Sequence, residues 1–119
     1  WAREWACDGS CEAFSLAVDG AGQSVTVLSF GWDDTLIVDG QLFKGKPDEW
    51  NSLAVKLDRD GDIVWVSERV PGTPEVAVDA LGTVYLAGEF KADASVGGGK
   101  FQLDAGIEDS DLYVLKMRP

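Results

Sequence analysis

Apolar and polar side chains alternate with a period of two over much of this chain, the pattern of strands that bury one face. Phe14-Ser15-Leu16-Ala17-Val18 alternates apolar with small or polar residues and runs into Asp19-Gly20-Ala21-Gly22. Aspartate and glycine are turn formers, so the following run, Ser24-Val25-Thr26-Val27-Leu28-Ser29-Phe30, is expected to return as the second arm of a hairpin. Ser52-Leu53-Ala54-Val55-Lys56-Leu57 predicts another strand, joined through Asp58-Arg59-Asp60-Gly61 to Asp62-Ile63-Val64-Trp65-Val66. Val76–Val78, Val84–Phe90 and Leu112–Met117 repeat the same grammar. No window sustains a helical period, and the 14 glycines concentrate at turns. The expected fold class is all-β. The expected core is Leu16, Val18, Val25, Val27, Phe30, Val55, Trp65, Val78, Tyr85, Phe90 and Val114.

The halves are copies of one another. A shift of 60 positions sets Leu16-Ala17-Val18-Asp19 on Val76-Ala77-Val78-Asp79, Phe30 on Phe90, Asp33 on Asp93, and Leu53–Leu57 on Tyr113–Met117. Upstream of Leu16 the offset becomes 64, with Trp1 on Trp65 and Glu4 on Glu68. The first copy, about 5–68, thus carries four extra residues in a loop that holds both cysteines. The second, about 69–119, stops after its third strand. Trp1–Glu4 reads as a fourth strand that belongs to a preceding copy. Four antiparallel strands in a repeat of this length fit the blade of a β-propeller, so two blades are expected. A ring is to be completed by other copies or by the rest of a longer chain.

Ala17-Val18-Asp19-x-x-Gly22 with Phe30, and then Ala54-Val55-Lys56-Leu57-Asp58-x-x-Gly61-Asp62-Ile63-Val64-Trp65, resembles the bacterial β-propeller repeat of secreted and surface proteins common in myxobacteria. Val78–Phe90, Val96-Gly97-Gly98-Gly99 and Asp111–Met117 carry the resemblance through the second copy. The first copy departs from it at Ile37-Val38-Asp39-Gly40, where the Gly-Gly segment is expected. The resemblance implies a fold and an exported or cell-surface setting. It implies no activity, because function lives in sites grafted on folds.

Charge narrows the partners. The 119 residues carry 10 basic and 21 acidic side chains, a net −11, spread as −6 over residues 1–60 and −5 over 61–119. Such a surface repels phosphate backbones and anionic lipid, so neither nucleic acid nor membrane insertion is expected. No apolar stretch reaches the roughly 18 residues of a spanning helix. Histidine is absent, which removes the commonest general base and every histidine-dependent triad. The chain opens on Trp1 without a basic-then-apolar leader, and is read as a cut-out or processed piece.

Four groups of residues carry candidate chemistry. Asp58, Asp60 and Asp62 form a calcium candidate, although glycine stands at the fourth position of that loop, and Asp-Gly is also a plain hairpin turn. Cys7 and Cys11, with three residues between them, are read as a disulfide, with free thiols or a catalytic pair as alternatives. No catalytic residue and no cofactor other than that calcium is expected. Trp32 and Trp50 have no counterpart in the second copy, which has Ala92 and Ser110 there. With Asp33 and Asn51 they form a candidate glycan site, since sugar faces stack on indole and hydroxyls donate to carboxylates; the competing reading is that Trp32 and Trp50 cover a hydrophobic edge or the next subunit. Carboxylate pairs such as Asp33-Asp34 or Glu108-Asp109 suit glycoside hydrolysis only if one is desolvated. The expected function is a non-enzymatic structural or interaction module that self-assembles. A carbohydrate-binding propeller is the alternative, and a fragment of a secreted hydrolase the second. In the assembly, Trp1, Ala2, Arg3 and Glu4 are expected to complete the last blade of the next copy alongside Lys116, three or four chains closing a ring.

Overall fold

The computed structural model describes residues 1–47, 49–90, 94–96, 99–101 and 111–117. They form thirteen strands and no helix. The first five are β1 (Ala6–Asp8), β2 (Cys11–Val18), β3 (Ser24–Phe30), β4 (Thr35–Val38) and β5 (Gln41–Lys44). Then come β6 (Asn51–Leu57), β7 (Ile63–Val66), β8 (Val70–Pro71) and β9 (Glu75–Val78). The remainder are β10 (Val84–Phe90), β11 (Ala94–Val96), β12 (Gly99–Phe101) and β13 (Asp111–Met117). All pairs are antiparallel. The Gly97-Gly98 and Glu108-Asp109 positions singled out in the sequence lie outside the described residues.

The first sheet runs β2-β3-β6-β7, with β8 also paired to β6, and the second runs β9-β10-β13. Their registers repeat. Phe30 pairs Asn51 and Ser24 pairs Leu57 in the first; Phe90 pairs Asp111 and Val84 pairs Met117 in the second. The expected hairpin turns are present. The Asp19, Asp58 and Asp79 amides donate to the carbonyls of Gln23, Asp62 and Thr83, and Gly22, Gly61 and Gly82 sit at φ near +80° to +87°. Each aspartate Oδ1 accepts two backbone N–H groups at 2.9 Å, which holds the turn as an Asx motif.

Two cores hold the layers together. Val25, Val27 and Ala54 of the first sheet meet Val84 and Leu86 of the second, with Trp65, Val76, Val78, Leu115 and Met117 packed around them. On the other face of the first sheet, Leu28, Phe30, Leu53, Val55 and Leu57 meet Leu36 and Val38 of a small sheet ordered β1-β4-β5. That small sheet is a departure from expectation. The segment between β3 and β6 reads as a loop, yet Asp39-Gly40 turns it into a hairpin with both residues at positive φ (52° and 74°), as a type I′ turn requires. β11 and β12 pair antiparallel at the corresponding point of the second copy.

Three expected core residues are exposed: Leu16 (65%), Val18 (59%) and Val114 (74%). Alternation assigns them to a face that needs a further layer, and no described element covers it there. Trp1–Glu4 also differs from expectation, since it lies outside any strand. Trp1 Nε1 donates to the Arg59 carbonyl at 2.9 Å, and Arg3 bonds Gly61 O and pairs with Asp62 at 2.7 Å. A Cβ on Gly61 would lie 2.6 Å from the Trp1 ring, so the segment rests directly on the β6–β7 turn.

Candidate functional site

The pairing of Phe30 with Asn51 brings together the chain leaving β3 and the chain entering β6. Trp32 and Trp50 stand just beyond that pair, at the two feet of the β4–β5 hairpin. The feet are pinned by backbone bonds: Gly31 N to Ser10 O at 3.0 Å, Asp34 N to Gly31 O at 3.3 Å and Gly45 N to Asp34 O at 2.9 Å. Gly45 is needed for the close approach, because a Cβ there would lie 2.2 Å from Gly31 O. The unpaired tryptophans of the first copy are therefore neighbours in space.

They line two adjoining depressions. One, of about 250 Å³, is lined among the described residues by both indoles together with Glu49, Gly72, Thr73, Glu89 and Phe90. The other, about 290 Å³, shares both indoles with Ser10, Gly31 and Asp34. The first lies at the seam of the two sheets. Gly72 N donates to Trp50 O at 2.7 Å, and a Cβ on Gly72 would meet Glu89 O at 2.4 Å, so backbone forms that wall. Trp32 is 58% exposed and Trp50 38%, while Glu49 is buried. Tyr113, whose ring centre lies 6.3 Å from that of Phe90, donates its hydroxyl to Pro71 O at 2.8 Å. Burial, with the charge of Glu49 added, pushes the Tyr113 phenol well above its ordinary range.

The other candidates read from the sequence divide. Asn51 turns inward, accepting from Lys46 N and donating to Glu49 O at 2.9 Å, and is buried. Asp33 sits at φ 61° outside the described lining. Its neighbour Asp34 faces the cleft, where its Oδ2 accepts the Ser10 amide at 2.9 Å. Gly9 leaves room for that carboxylate; a Cβ there would lie 2.0 Å from Asp34 Oδ1. Cys7 and Cys11 are disulfide-bonded, with Cα atoms 6.3 Å apart, and Trp5 and Cys11 pack on the core under the small sheet. Asp58 makes the same two turn bonds as Asp19 and Asp79, neither of which has aspartates at the following alternate positions. Among the described residues, no group of three or more acidic or cysteine side chains is arranged to hold a metal ion. Sequence reasoning missed Glu89 and Phe90, which reach the cleft from the second copy. Only the 60-residue register, combined with the packing of the sheets, brings them there.

Fold and cleft together define an all-β, disulfide-bearing repeat protein with an aromatic and acidic groove at the seam of its two sheets. No family model, curated protein or solved structure matches the chain.

Proposed function

We propose that this chain is a non-enzymatic structural or interaction module whose two main sheets are propeller-type blades, and that it assembles head to tail with further copies of itself. The observation that carries the reading is an apolar face left open at each end of the stack. At one end Leu112 (83% exposed) and Val114 (74%) stand on β13, which pairs with β10 and with no other described strand. At the other end Leu16 and Val18 are exposed on β2.

The interface between the sheets is the template for joining them. Val76 and Val78 pack on the face of the first sheet that holds Val27 and Ala54. Shifted by 60 residues, that contact reads Leu16 and Val18 packing on Ala87 and Val114, which is the contact two copies would make. The edge strand has a template too. β1 pairs with β4, and β8, which lies 64 residues after β1, neighbours β11. β1 thus stands to β4 as β8 stands to β11, and on the same offset Trp1–Glu4, once released from its own β6–β7 turn, would be the strand that the β13 edge of another copy lacks. An exposed apolar edge of this kind invites pairing. The disulfide favours an oxidising, exported setting.

Sedimentation equilibrium of the purified chain provides the test. The expected result is one species of three or four chains, which dissociates on Leu112→Asp or on deletion of Trp1–Glu4. A monomer persisting at high concentration, or an assembly indifferent to both changes, overturns the reading.

A further inference from the structure

We infer that the Trp32–Trp50 cleft binds a small organic cation carrying a trimethylammonium group with no anion beside it. This goes beyond the assembly reading, since it concerns a different surface and a different ligand. The walls of the cleft are of two kinds. Trp32, Trp50 and Phe90 are aromatic, and two of them present exposed indoles; Asp34, Glu49 and Glu89 are carboxylates. No basic side chain is among its described lining residues.

That inventory separates a cation from the saccharide that tryptophans suggest on sequence grounds. A sugar hydroxyl both donates and accepts, so a sugar site mixes acceptors with strong donors such as amides or guanidinium groups. Here the one amide expected to serve, Asn51, is spent on the Lys46 and Glu49 backbone. Among the described lining residues, the side-chain donors left are the hydroxyls of Ser10 and Thr73 and the two indole N–H groups. Among the described lining residues every formal charge is negative, and no guanidinium or side-chain amide is left to donate. A quaternary ammonium has no hydrogen to donate and no lone pair to offer, and demands only what this cleft has. Its methyl groups lie against indole faces, its charge is attracted by their quadrupoles, and nearby carboxylates add Coulomb attraction. An alkylated ammonium also sheds water more readily than a compact primary one, which suits a site walled in part by indoles. The depressions, at about 250 and 290 Å³, are near the lower end for small-molecule sites, so the ligand is small. The net charge of −11 draws cations toward the whole surface and disfavours ligands whose ammonium is tied to phosphate or carboxylate.

The experiment is calorimetric titration of the full 119-residue chain with four probes: choline, its neutral carbon isostere 3,3-dimethylbutan-1-ol, phosphocholine and cellobiose. Choline is expected to bind at least roughly tenfold more tightly than the isostere, which has its shape without its charge. Phosphocholine is expected to bind more weakly than choline, and added salt to weaken choline binding. Trp50→Ala and Trp32→Ala should each abolish the heat. Glu89→Gln, on an exposed side chain, should weaken binding severalfold without disturbing the fold, so the inference stays testable if a tryptophan variant misfolds. Equal affinity for choline and isostere would mean a merely apolar slot and overturns the inference. So does tryptophan-dependent binding of cellobiose without choline, or no heat from choline at all. Assembly is read separately by mass, so a monomer that binds choline overturns the assembly reading alone.

Discussion

The two main sheets share strand order, register and turn chemistry, yet residues at matching positions sit in opposite environments. Val27, Ser52, Ala54 and Lys56 are buried in the first sheet. Their counterparts 60 residues on, Ala87, Leu112, Val114 and Lys116, are exposed in the second. The first sheet is covered on both faces, by the second sheet and by the small β1-β4-β5 sheet, whereas among the described residues the second is covered on one. Burial here is a property of the stack more than of the strand. Two of the three substitutions add to this: the exposed copy carries Leu where the buried one has Ser, and Val where it has Ala, while Ala87 for Val27 runs the other way. A face designed for water would reverse that order. Lys116, the counterpart of buried Lys56, has its Nζ 5.8 Å from the Tyr85 ring centre.

The strongest way to break this comparison is to place one substitution at both members of a matched pair. Ala54→Asp buries an unpaired carboxylate between the sheets and should cost on the order of 3–5 kcal/mol in urea unfolding, a large share of a typical 5–15. Val114→Asp at high dilution should stay within about 0.5 kcal/mol of the parent, since its side chain meets water there. Equal losses at both positions would mean that the second sheet is covered in the isolated chain, and the contrast between the sheets would fall.

A smaller effect is expected at Tyr113, which replaces Leu53 of the first sheet with a buried hydroxyl bonded to Pro71 O. Tyr113→Phe strands that carbonyl and should cost about 1 kcal/mol at neutral pH. The pH dependence follows from the phenol's raised position. Its contribution to stability is fully present below the ordinary value of 10.0 and is lost as pH rises beyond it, because the unfolded chain ionises first. Parent stability should therefore decline above pH 10 more steeply than that of the phenylalanine variant. Parallel curves would remove Tyr113 as the source.

What was legible in the sequence is what the backbone period and turn chemistry determine. The all-β class, the 60-residue register and the Asp-x-x-Gly turns are local features, and each recurs at its expected residues. The β4–β5 hairpin was legible in principle, since Asp39-Gly40 separates Leu36-Ile37-Val38 from Leu42-Phe43, but each arm is only four residues long and shows no clean alternation. The exposure of Leu16, Val18 and Val114 was not legible. Alternation says that a residue faces a layer, while the number of layers is decided by contacts between distant segments. The cleft was half legible: Trp32 and Trp50 stood out as unmatched, and the β3–β6 register makes them neighbours. Glu89 and Phe90 did not stand out, because they join the cleft only through the stacking of one copy on the other. Asn51 misled for a related reason, as a polar residue beside two tryptophans reads as ligand-facing until its backbone partners are known.

The smallest expected effects concern the three aspartate turns, where the two copies should behave alike despite their different burial. Asp19, Asp58 and Asp79 each use one oxygen to accept two backbone N–H groups, and a neutral amide oxygen can accept the same pair. Asp19→Asn and Asp58→Asn should therefore leave thermal stability nearly unchanged, whereas Asp19→Ala and Asp58→Ala should each lower it by about 1 kcal/mol. Calcium decides whether Asp58 does more than Asp19. If Asp58, Asp60 and Asp62 only shape a turn, added calcium leaves the melting temperature of the parent and of Asp58→Asn equally unmoved; a rise in the parent alone would establish a metal site. Asp79 adds a pH signature. The Thr83 amide, with that of Leu81, holds its carboxyl below the usual carboxylate value against the opposing effect of desolvation. Its contribution is thus present above the unfolded value of 3.8 and fades as pH falls through the lower folded one. Asp79→Asn should flatten that acid limb at a small cost in neutral stability, because it keeps the acceptor but removes the charge that strengthens it. An unchanged acid limb would mean that the turn holds by backbone geometry alone.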